Sequence, residues 1–216
     1  MDADSFVEAV SEARATELHR LGSDKYLVAA TGADLAEEPV LASVAQEAAN
    51  GRETFESWAE GEDGPAAEAF AAAADTEREH LERLRERLGD GTPGANDANA
   101  DDTGEGGVDQ ALGTAETTAE RAGALVGRGK VRDRTLLQVV NFFVNEGDTT
   151  GADLVRELRR DANGQVSAGA DLLEGVCESD GDWNEAQESA ERVVAAAYEE
   201  YAAALEAMGV DPKPVC

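Results

Sequence analysis

Apolar residues recur along most of this chain at intervals of three and four positions, with polar residues between them. This period is typical of amphipathic α-helices and predicts about seven of them, in two groups. In the first group the apolar stripes predict helices over these approximate stretches: 5–30, 39–60 and 65–88. In the second group they predict four helices, with these approximate extents: 108–127, 131–144, 149–176 and 182–208. The stretch 131–144 is apolar on most sides, so we expect it to be the most buried.

The helical pattern is interrupted between the two groups. Residues 89–107 contain six glycines and no large apolar side chain, which indicates a flexible linker or a long crossover connection. We therefore expect a three-helix group over 1–88, the linker over 89–107, and a four-helix group over 108–216 that ends in a short tail. A faint similarity between Leu21–Lys25 and Leu125–Lys130, each preceding a helical hairpin, leaves open whether the groups arose by duplication.

The composition of the chain favours an all-α fold. Strand-forming runs are nearly absent, there is no isoleucine, and only 5% of the residues are aromatic. A run of about 18 apolar residues, the length that a membrane span needs, does not occur, so no membrane association is expected. The acidic start Met1–Asp4 is not followed by an apolar stretch, so we expect no signal peptide and a cytoplasmic protein.

The chain is strongly acidic. Its 47 acidic residues outnumber 18 basic ones and give a net charge of −29, and only three of the basic residues are lysines. This resembles the cytosolic proteins of halophilic archaea, in which molar salt screens charges within a few ångströms. We favour a salt-adapted surface over a DNA mimic or a cation buffer, because acids are spread along every predicted helix. No basic stripe could neutralise phosphates, so direct nucleic-acid binding is not expected.

Most familiar catalytic and cofactor motifs are missing from the sequence. It has no glycine-rich dinucleotide fingerprint, no phosphate-binding loop and no Gly-x-Ser-x-Gly nucleophile elbow. The two cysteines, Cys177 and Cys216, match no zinc or rubredoxin-type spacing, and we favour reduced thiols over a disulfide. We therefore predict no catalytic residue and no organic cofactor site.

One short motif is suited to metal binding. Glu77 and His80 are three residues apart on a predicted helix, so both side chains can reach one ion. Glu77 interrupts an apolar stripe, and Glu17 and Glu47 interrupt the stripes of the two preceding helices. Inward carboxylates need cations, hydrogen bonds or protons, because burying them unpaired is costly. A divalent metal would meet this need. The alternative is that these acids lie at stripe edges and reach solvent or pair with arginines: Arg14, Arg20, Arg52 or Arg78.

With these features the chain resembles a ferritin-like, rubrerythrin-related family of haloarchaea. The resemblance rests on the helical hairpins, on the residues discussed above, and on the closing segment 208–216. Rubrerythrin-like proteins hold a carboxylate-bridged di-iron centre in a four-helix bundle and reduce peroxide. The resemblance implies a ferritin-like antiparallel bundle that binds iron or manganese through these ligands: Glu17, Glu47, Glu77 and His80.

The sequence departs from this family in two ways. The second Glu-x-x-His pair is incomplete, because Asn50 stands three residues after Glu47, and rubredoxin-type cysteines are missing. These departures imply a rubrerythrin-like protein with an incomplete metal site and weak or no oxidoreductase activity. The alternative is a metal-free helical scaffold or regulator that acts through protein partners or as a homo-oligomer. Some relatives carry a transcription-antitermination label, which no residue here explains.

Overall fold

The computed structural model of the protein describes residues 1–89 and 107–213. These residues form nine α-helices and no strand, which confirms the all-α fold class. In chain order the helices are α1 (Ala3–Ala13), α2 (Ala15–Leu21), α3 (Lys25–Thr31), α4 (Glu37–Glu60), α5 (Gly64–Leu88), α6 (Gly107–Gly113), α7 (Thr118–Asn145), α8 (Thr149–Val176) and α9 (Asp180–Ala207). None of these nine helices is both long and apolar enough to cross a membrane.

Five long helices, α4, α5, α7, α8 and α9, form the body of the protein. Three-residue connections join α4 to α5, α7 to α8 and α8 to α9, and such short connections make consecutive helices antiparallel. α7 packs along both α8 and α9, while α4 packs mainly on α5. The result is an all-α bundle in which α7 lies at the centre of the second helical group.

The stretch predicted as one helix over 5–30 is three short helices. α1 ends where the backbone of Arg14 leaves the helical region, at φ −115° and ψ 27°, and α2 ends at Gly22. The two breaks let successive segments follow different neighbours: α1 contacts α8 and α9, α2 contacts α9 and α7, and α3 contacts α9 and α4. A continuous helix could not follow this path over the bundle.

The second group also begins differently from the prediction. The stretch 108–127 is divided between α6 and α7, and Thr117 caps the start of α7 through a capping box with Glu120. α7 then continues without interruption through residues 127–130, where the sequence predicted the end of one helix and the start of another. The described residues therefore contain nine helices instead of about seven.

Two glycines of α7 have a role other than ending a helix near residues 127–130. A β-carbon at Gly123 would lie 2.1 Å from the backbone oxygen of Ala186, and one at Gly127 would lie 2.4 Å from that of Ala190. The backbone of α7 therefore rests directly against α9, and glycine is needed for this close approach. A helix end and a close helix contact both favour glycine, and the local sequence does not distinguish them.

Side chains from both predicted groups share the interior. Phe55 of α4 and Leu125 of α7 belong to one cluster of buried apolar residues, and Leu41 of α4 and Leu158 of α8 belong to a second. The predicted linker lies almost wholly outside the described residues, so the division of the chain into 1–88, 89–107 and 108–216 stays a prediction.

Candidate functional site

Glu77 is a carboxylate buried inside the bundle. It lies on the inward face of α5 and is only 1% exposed. Its Oε1 accepts hydrogen bonds from Nη1 of Arg128 in α7 at 2.6 Å and from Nε2 of Gln165 in α8 at 3.0 Å. Arg128 is itself 4% exposed, so protein atoms surround this ion pair. One carboxylate oxygen therefore ties three helices together.

His80 lies one turn beyond Glu77 and is equally buried. Its Nε2 is 3.1 Å from Oδ2 of Asp161 in α8, and its Nδ1 is 3.6 Å from Oε2 of Glu77. Neither this Nδ1 nor this Oε2 has a hydrogen-bond partner among the described residues. If the ring donates through Nε2 to Asp161, its Nδ1 turns a lone pair toward the carboxylate. The lone pair of Nδ1 and the carboxylate of Glu77 then repel each other, and a proton or a cation on Nδ1 would remove this repulsion.

Glu47 joins the same network from α4. Its carboxylate accepts hydrogen bonds from Arg132 and from the hydroxyl of Tyr26, with an O–O distance of 2.7 Å for the latter. Arg128 reaches both acids, because its Nη2 donates to the backbone carbonyl of Glu47 at 2.8 Å while its Nη1 holds Glu77. Arg128 and Arg132 lie one helical turn apart on α7 and therefore form ion pairs with Glu77 of α5 and Glu47 of α4.

Two residues of α4 shape the space around Arg128. A β-carbon at Gly51 would lie 2.1 Å from Nη2 of Arg128, so glycine leaves the room that the guanidinium occupies. The ring of Phe55 lies beneath the same guanidinium, 5.1 Å from its centroid, in a cation–π contact. These contacts fix the position of the guanidinium.

The electrostatics of the network favour its charged forms. Burial by itself raises the pKa of Glu77, but the charge of the Arg128 guanidinium, together with that of Arg132, lowers it well below the ordinary glutamate value. Burial likewise tends to lower the pKa of Arg132, and the charges of Glu47 and Glu77 outweigh it and raise that pKa. Glu77 is therefore an ionised buried acid with guanidinium counter-ions.

Three of the four predicted metal ligands lie in this network. Glu47 and Glu77 are bonded to its two arginines, and His80 contacts Glu77. Glu17 of α2 is instead paired with Arg14 at 3.2 Å. For Glu17 the structure therefore shows the alternative that the sequence left open, in which the acid pairs with a nearby arginine.

The arginines themselves were not among the predicted site residues. Arg128 and Arg132 are one turn apart at the start of the apolar stretch 131–144, and that spacing is the signal that could have found them. The other partners are single polar residues with no distinguishing local pattern: Tyr26, Asp161 and Gln165.

The donor set fits an ion-pair network better than a metal centre. Within residues 1–89 and 107–213, no group of three or more His, Cys, Asp or Glu side chains is arranged to hold a metal ion. A di-metal centre of the ferritin type uses about six ligands, whereas guanidinium groups already occupy oxygens of Glu47 and Glu77. A divalent cation bound there would be repelled by both guanidinium groups. Metal binding by the four predicted ligands stays a prediction.

Cys177, at the end of α8, is a free thiol of intermediate exposure. Burial, and then the negative charge of Asp182, raises its pKa to about 11. The thiol is therefore protonated at neutral pH and is a poor nucleophile. Cys216 lies outside the described residues.

A cavity of ≈ 270 Å³ lies beside the network. Its walls come mainly from α3, α4, α6, α7 and α9, and Arg128 and Arg132 both line it. Tyr26 forms part of its buried wall, while Asp109 of α6 and Glu200 of α9 are exposed lining residues. The cavity therefore runs from the arginines of the network to an acidic mouth.

No family model matches this chain, and neither a curated protein nor a solved structure matches it significantly. The resemblance to rubrerythrin-related proteins therefore stays an interpretation of the sequence. The chemistry of the site has to be inferred from its own side chains and distances.

Proposed function

We propose that this chain is a ferritin-like, rubrerythrin-related helical protein that works without a metal centre, as a scaffold or regulator that binds protein partners. The observation that carries the proposal is the pair formed by Glu77 and Arg128, joined at 2.6 Å and almost fully buried. In this proposal, arginines from α7 supply the positive charge that metal ions supply in rubrerythrin-like proteins. The bundle thereby keeps its inward acids and has no oxidative chemistry.

The physical support comes from the cost of burying charge. A buried carboxylate requires a close positive charge and hydrogen bonds. The buried Glu77 receives both from Arg128 and Gln165. Glu47, whose side chain is 38% exposed, is bonded to Arg132 and Tyr26 and also reaches solvent. The two acids therefore do not need a metal ion for their stability.

The charge of the chain supports the proposed setting and partners. A net charge of −29 suits a cytoplasm of high salt, where screening suppresses self-repulsion. The same charge repels phosphates, so we propose a protein or a second copy of the chain as partner instead of a nucleic acid.

Metal analysis of the purified protein tests the proposal. The full chain, purified in molar KCl without chelator, is expected to carry far less than stoichiometric iron, manganese or zinc. Addition of these ions is expected to leave its melting temperature unchanged, because a ligand that binds only the native state would raise it. Near-stoichiometric metal that is lost in Glu77→Ala and His80→Ala, but kept in the control Glu17→Ala, would overturn the proposal.

One observation favours a second candidate, a single-ion site. Nδ1 of His80 and Oε2 of Glu77 face each other at 3.6 Å without other partners, and Asp161 holds the opposite ring nitrogen. A carboxylate behind a histidine is a common arrangement around bound metal. Retention of one ion per chain, lost in His80→Ala and in Glu77→Ala, would favour this candidate over the metal-free protein.

A further inference from the structure

A short segment after α9, residues Val210–Lys213, packs back onto the bundle and is called the strap below. It begins after Gly209, whose φ of 74° lies in the left-handed region. The N–H groups of Gly209 and Val210 donate to the backbone oxygens of Glu206 and Leu205. Such a glycine-based helix end changes the direction of the chain. Val210 is then partly buried against the second apolar cluster, so the strap starts on the bundle surface.

One lysine joins the strap to α3. Nζ of Lys25, the first residue of α3, donates to the backbone oxygen of Asp211 at 2.8 Å and to that of Lys213 at 2.6 Å. The carboxylate of Asp211 accepts a hydrogen bond from the Lys213 N–H at 2.8 Å, which holds the strap in a tight turn. Hydrogen bonds from a charged donor are stronger than neutral ones. A single ammonium group therefore connects the start of α3 to the strap.

Tyr201 of α9 holds the strap from a second direction. Its hydroxyl donates to the backbone oxygen of Pro212 at 3.4 Å and lies 3.1 Å from Oγ of Ser23, in the turn between α2 and α3. Tyr201 is 4% exposed and also lines the cavity of ≈ 270 Å³. The strap, α9 and the turn before α3 therefore meet at the edge of the cavity.

The helix α3 needs such contacts to keep its position. It has only seven residues, and Asp24 at its start makes no side-chain capping hydrogen bond. A helix this short is not stable alone. Tyr26 and Leu27 are its two buried residues, and residues 28–31 are partly or fully exposed. The strap therefore adds to a small number of tertiary contacts.

We propose that the strap is a latch for the cavity, with Lys25 as its fastening. While the bonds from Lys25 are formed, α3 stays against α9 and the cavity stays narrow. When they break, α3 moves outward and the cavity opens to solvent. The wall contributed by α3 consists of Tyr26, Ala29 and Ala30, so displacement of this helix changes the width of the cavity directly. The latch is independent of metal content, since its bonds come from Lys25 and Tyr201.

Hydrogen exchange of the full chain in molar KCl tests the fastening. Lys25→Met is expected to speed exchange of the α3 amides by about three- to tenfold and to leave α8 unchanged. The helix dipole alone predicts the opposite sign, because removing a cation from a helix start favours the helix. Lys213→Met is the matched control, since only the backbone oxygen of this exposed residue accepts a bond. Equal or slower α3 exchange in Lys25→Met rules the latch out.

A change within the strap tests whether Lys25 acts through it. Asp211→Ala removes the side-chain acceptor that holds the turn, and we expect it to speed α3 exchange as well. Its effect is expected to be much smaller when Lys25→Met is already present, because the two residues act on one attachment. Full additivity of the two substitutions would show that Lys25 acts on α3 without the strap.

Thiol labelling tests whether release of the strap opens the cavity. Ala197 lines the cavity and is 6% exposed, whereas Ala74 lies in α5 away from it and is 2% exposed. Each is changed to cysteine in a chain that carries Cys177→Ser and Cys216→Ser. Lys25→Met is expected to raise the rate at which neutral methyl methanethiosulfonate labels the cysteine at 197 by about threefold or more, and to leave the rate at 74 unchanged. No rise at 197, or the same rise at both positions, contradicts the latch.

Discussion

Glu77 is buried inside the bundle and Glu200 lies at an exposed position on α9, and their pKa values move in opposite directions. For Glu77 burial raises the pKa, but the guanidinium of Arg128 at 2.6 Å outweighs it and the pKa falls. For Glu200 burial and the charges of Asp109 and Glu47 act together, and the pKa rises to about 7. Glu77 is the more deeply buried of the two. The position of arginine, and not depth alone, therefore decides which acid stays charged.

Positive charge is scarce in this chain, so the position of each arginine matters. Only 18 residues are basic against 47 acidic ones, and two of the 18 are the buried Arg128 and Arg132. Arg128 forms a hydrogen-bonded ion pair with the buried Glu77, and Arg132 forms one with Glu47, whose side chain is 38% exposed. Two of the 18 basic residues are therefore used in the interior network.

The largest effect is expected when Arg128 is removed. Arg128→Met leaves Glu77 buried without its counter-ion, and breaking a buried pair in this way costs about 3–5 kcal/mol of unfolding free energy. Denaturant unfolding in molar KCl measures this loss. The double variant Arg128→Met/Glu77→Met is expected to regain most of it, because it removes both charges.

A matched control separates this effect from the loss of any arginine. Arg156 pairs with Asp153 at 2.7 Å on the surface of α8, with side-chain exposures of 48% and 71%. Arg156→Met is expected to change stability by less than about 1 kcal/mol. If Arg128→Met costs no more than this control, the network is not what stabilises Glu77.

A smaller effect is expected when the charges stay and only their spacing changes. The β-carbon of Gly51→Ala would displace the guanidinium of Arg128, whose Nη2 lies 2.1 Å from that position. The cost is expected to be about 1–3 kcal/mol, as for other overpacked interiors. Thermal unfolding measures it.

Gly164→Ala in α8 is the control for this change. A β-carbon there meets nothing within 4 Å, so the substitution is expected to stabilise the helix by up to about 1 kcal/mol. Opposite signs for the two alanines would confirm that Gly51 is needed for contact with Arg128. Equal signs would contradict it.

The smallest effect on stability is expected at Glu200, whose pKa is raised. The pKa of Glu200 rises from about 4.5 in the unfolded chain to about 7, so its ionisation destabilises the fold. The penalty is complete above pH 7, shrinks as the pH falls toward 4.5, and is absent below that. Because the residue is partly exposed, Glu200→Gln is expected to raise stability by only on the order of 1 kcal/mol near pH 8.

Thermal unfolding across this pH range checks the sign as well as the size. The gain from Glu200→Gln is expected to vanish near pH 4.5, where wild-type Glu200 is protonated in both states. Glu199→Gln is the exposed control on the same helix. A gain that does not depend on pH, or the same gain in the control, would show that the pKa of Glu200 is not raised by its burial and by the charges of Asp109 and Glu47.

The sequence predicted the regular helices of this fold better than their connections. The long apolar stripes of α4, α5, α8 and α9 have one period throughout, and the predicted extents are close to the observed ones. The errors lie where tertiary contacts override the local pattern. The helix predicted over 5–30 is split so that its segments meet different partners, and the break predicted near 127–130 is a close contact with α9.

The candidate site was predictable only in part. Acids that interrupt an apolar stripe pointed to Glu17, Glu47 and Glu77 as inward residues. Glu77 is 1% exposed, whereas the side chains of Glu17 and Glu47 are 23% and 38% exposed. Their partners could not be identified, because an arginine on a helix is usually a surface residue and its long side chain can reach many acids. Which acid it meets depends on the packing of α7 against α4 and α5.

The contact between α7 and α9 has a consequence for motion. At Gly123 and Gly127 no side chain separates the two backbones, so nothing between these helices can rearrange to let them slide. The two helices must shift as one rigid unit. A change in the width of the neighbouring cavity then requires movement of α3, α4 or α6, which supply its other walls. α3 and α6 have only seven residues each, so we expect these two short helices to move most easily.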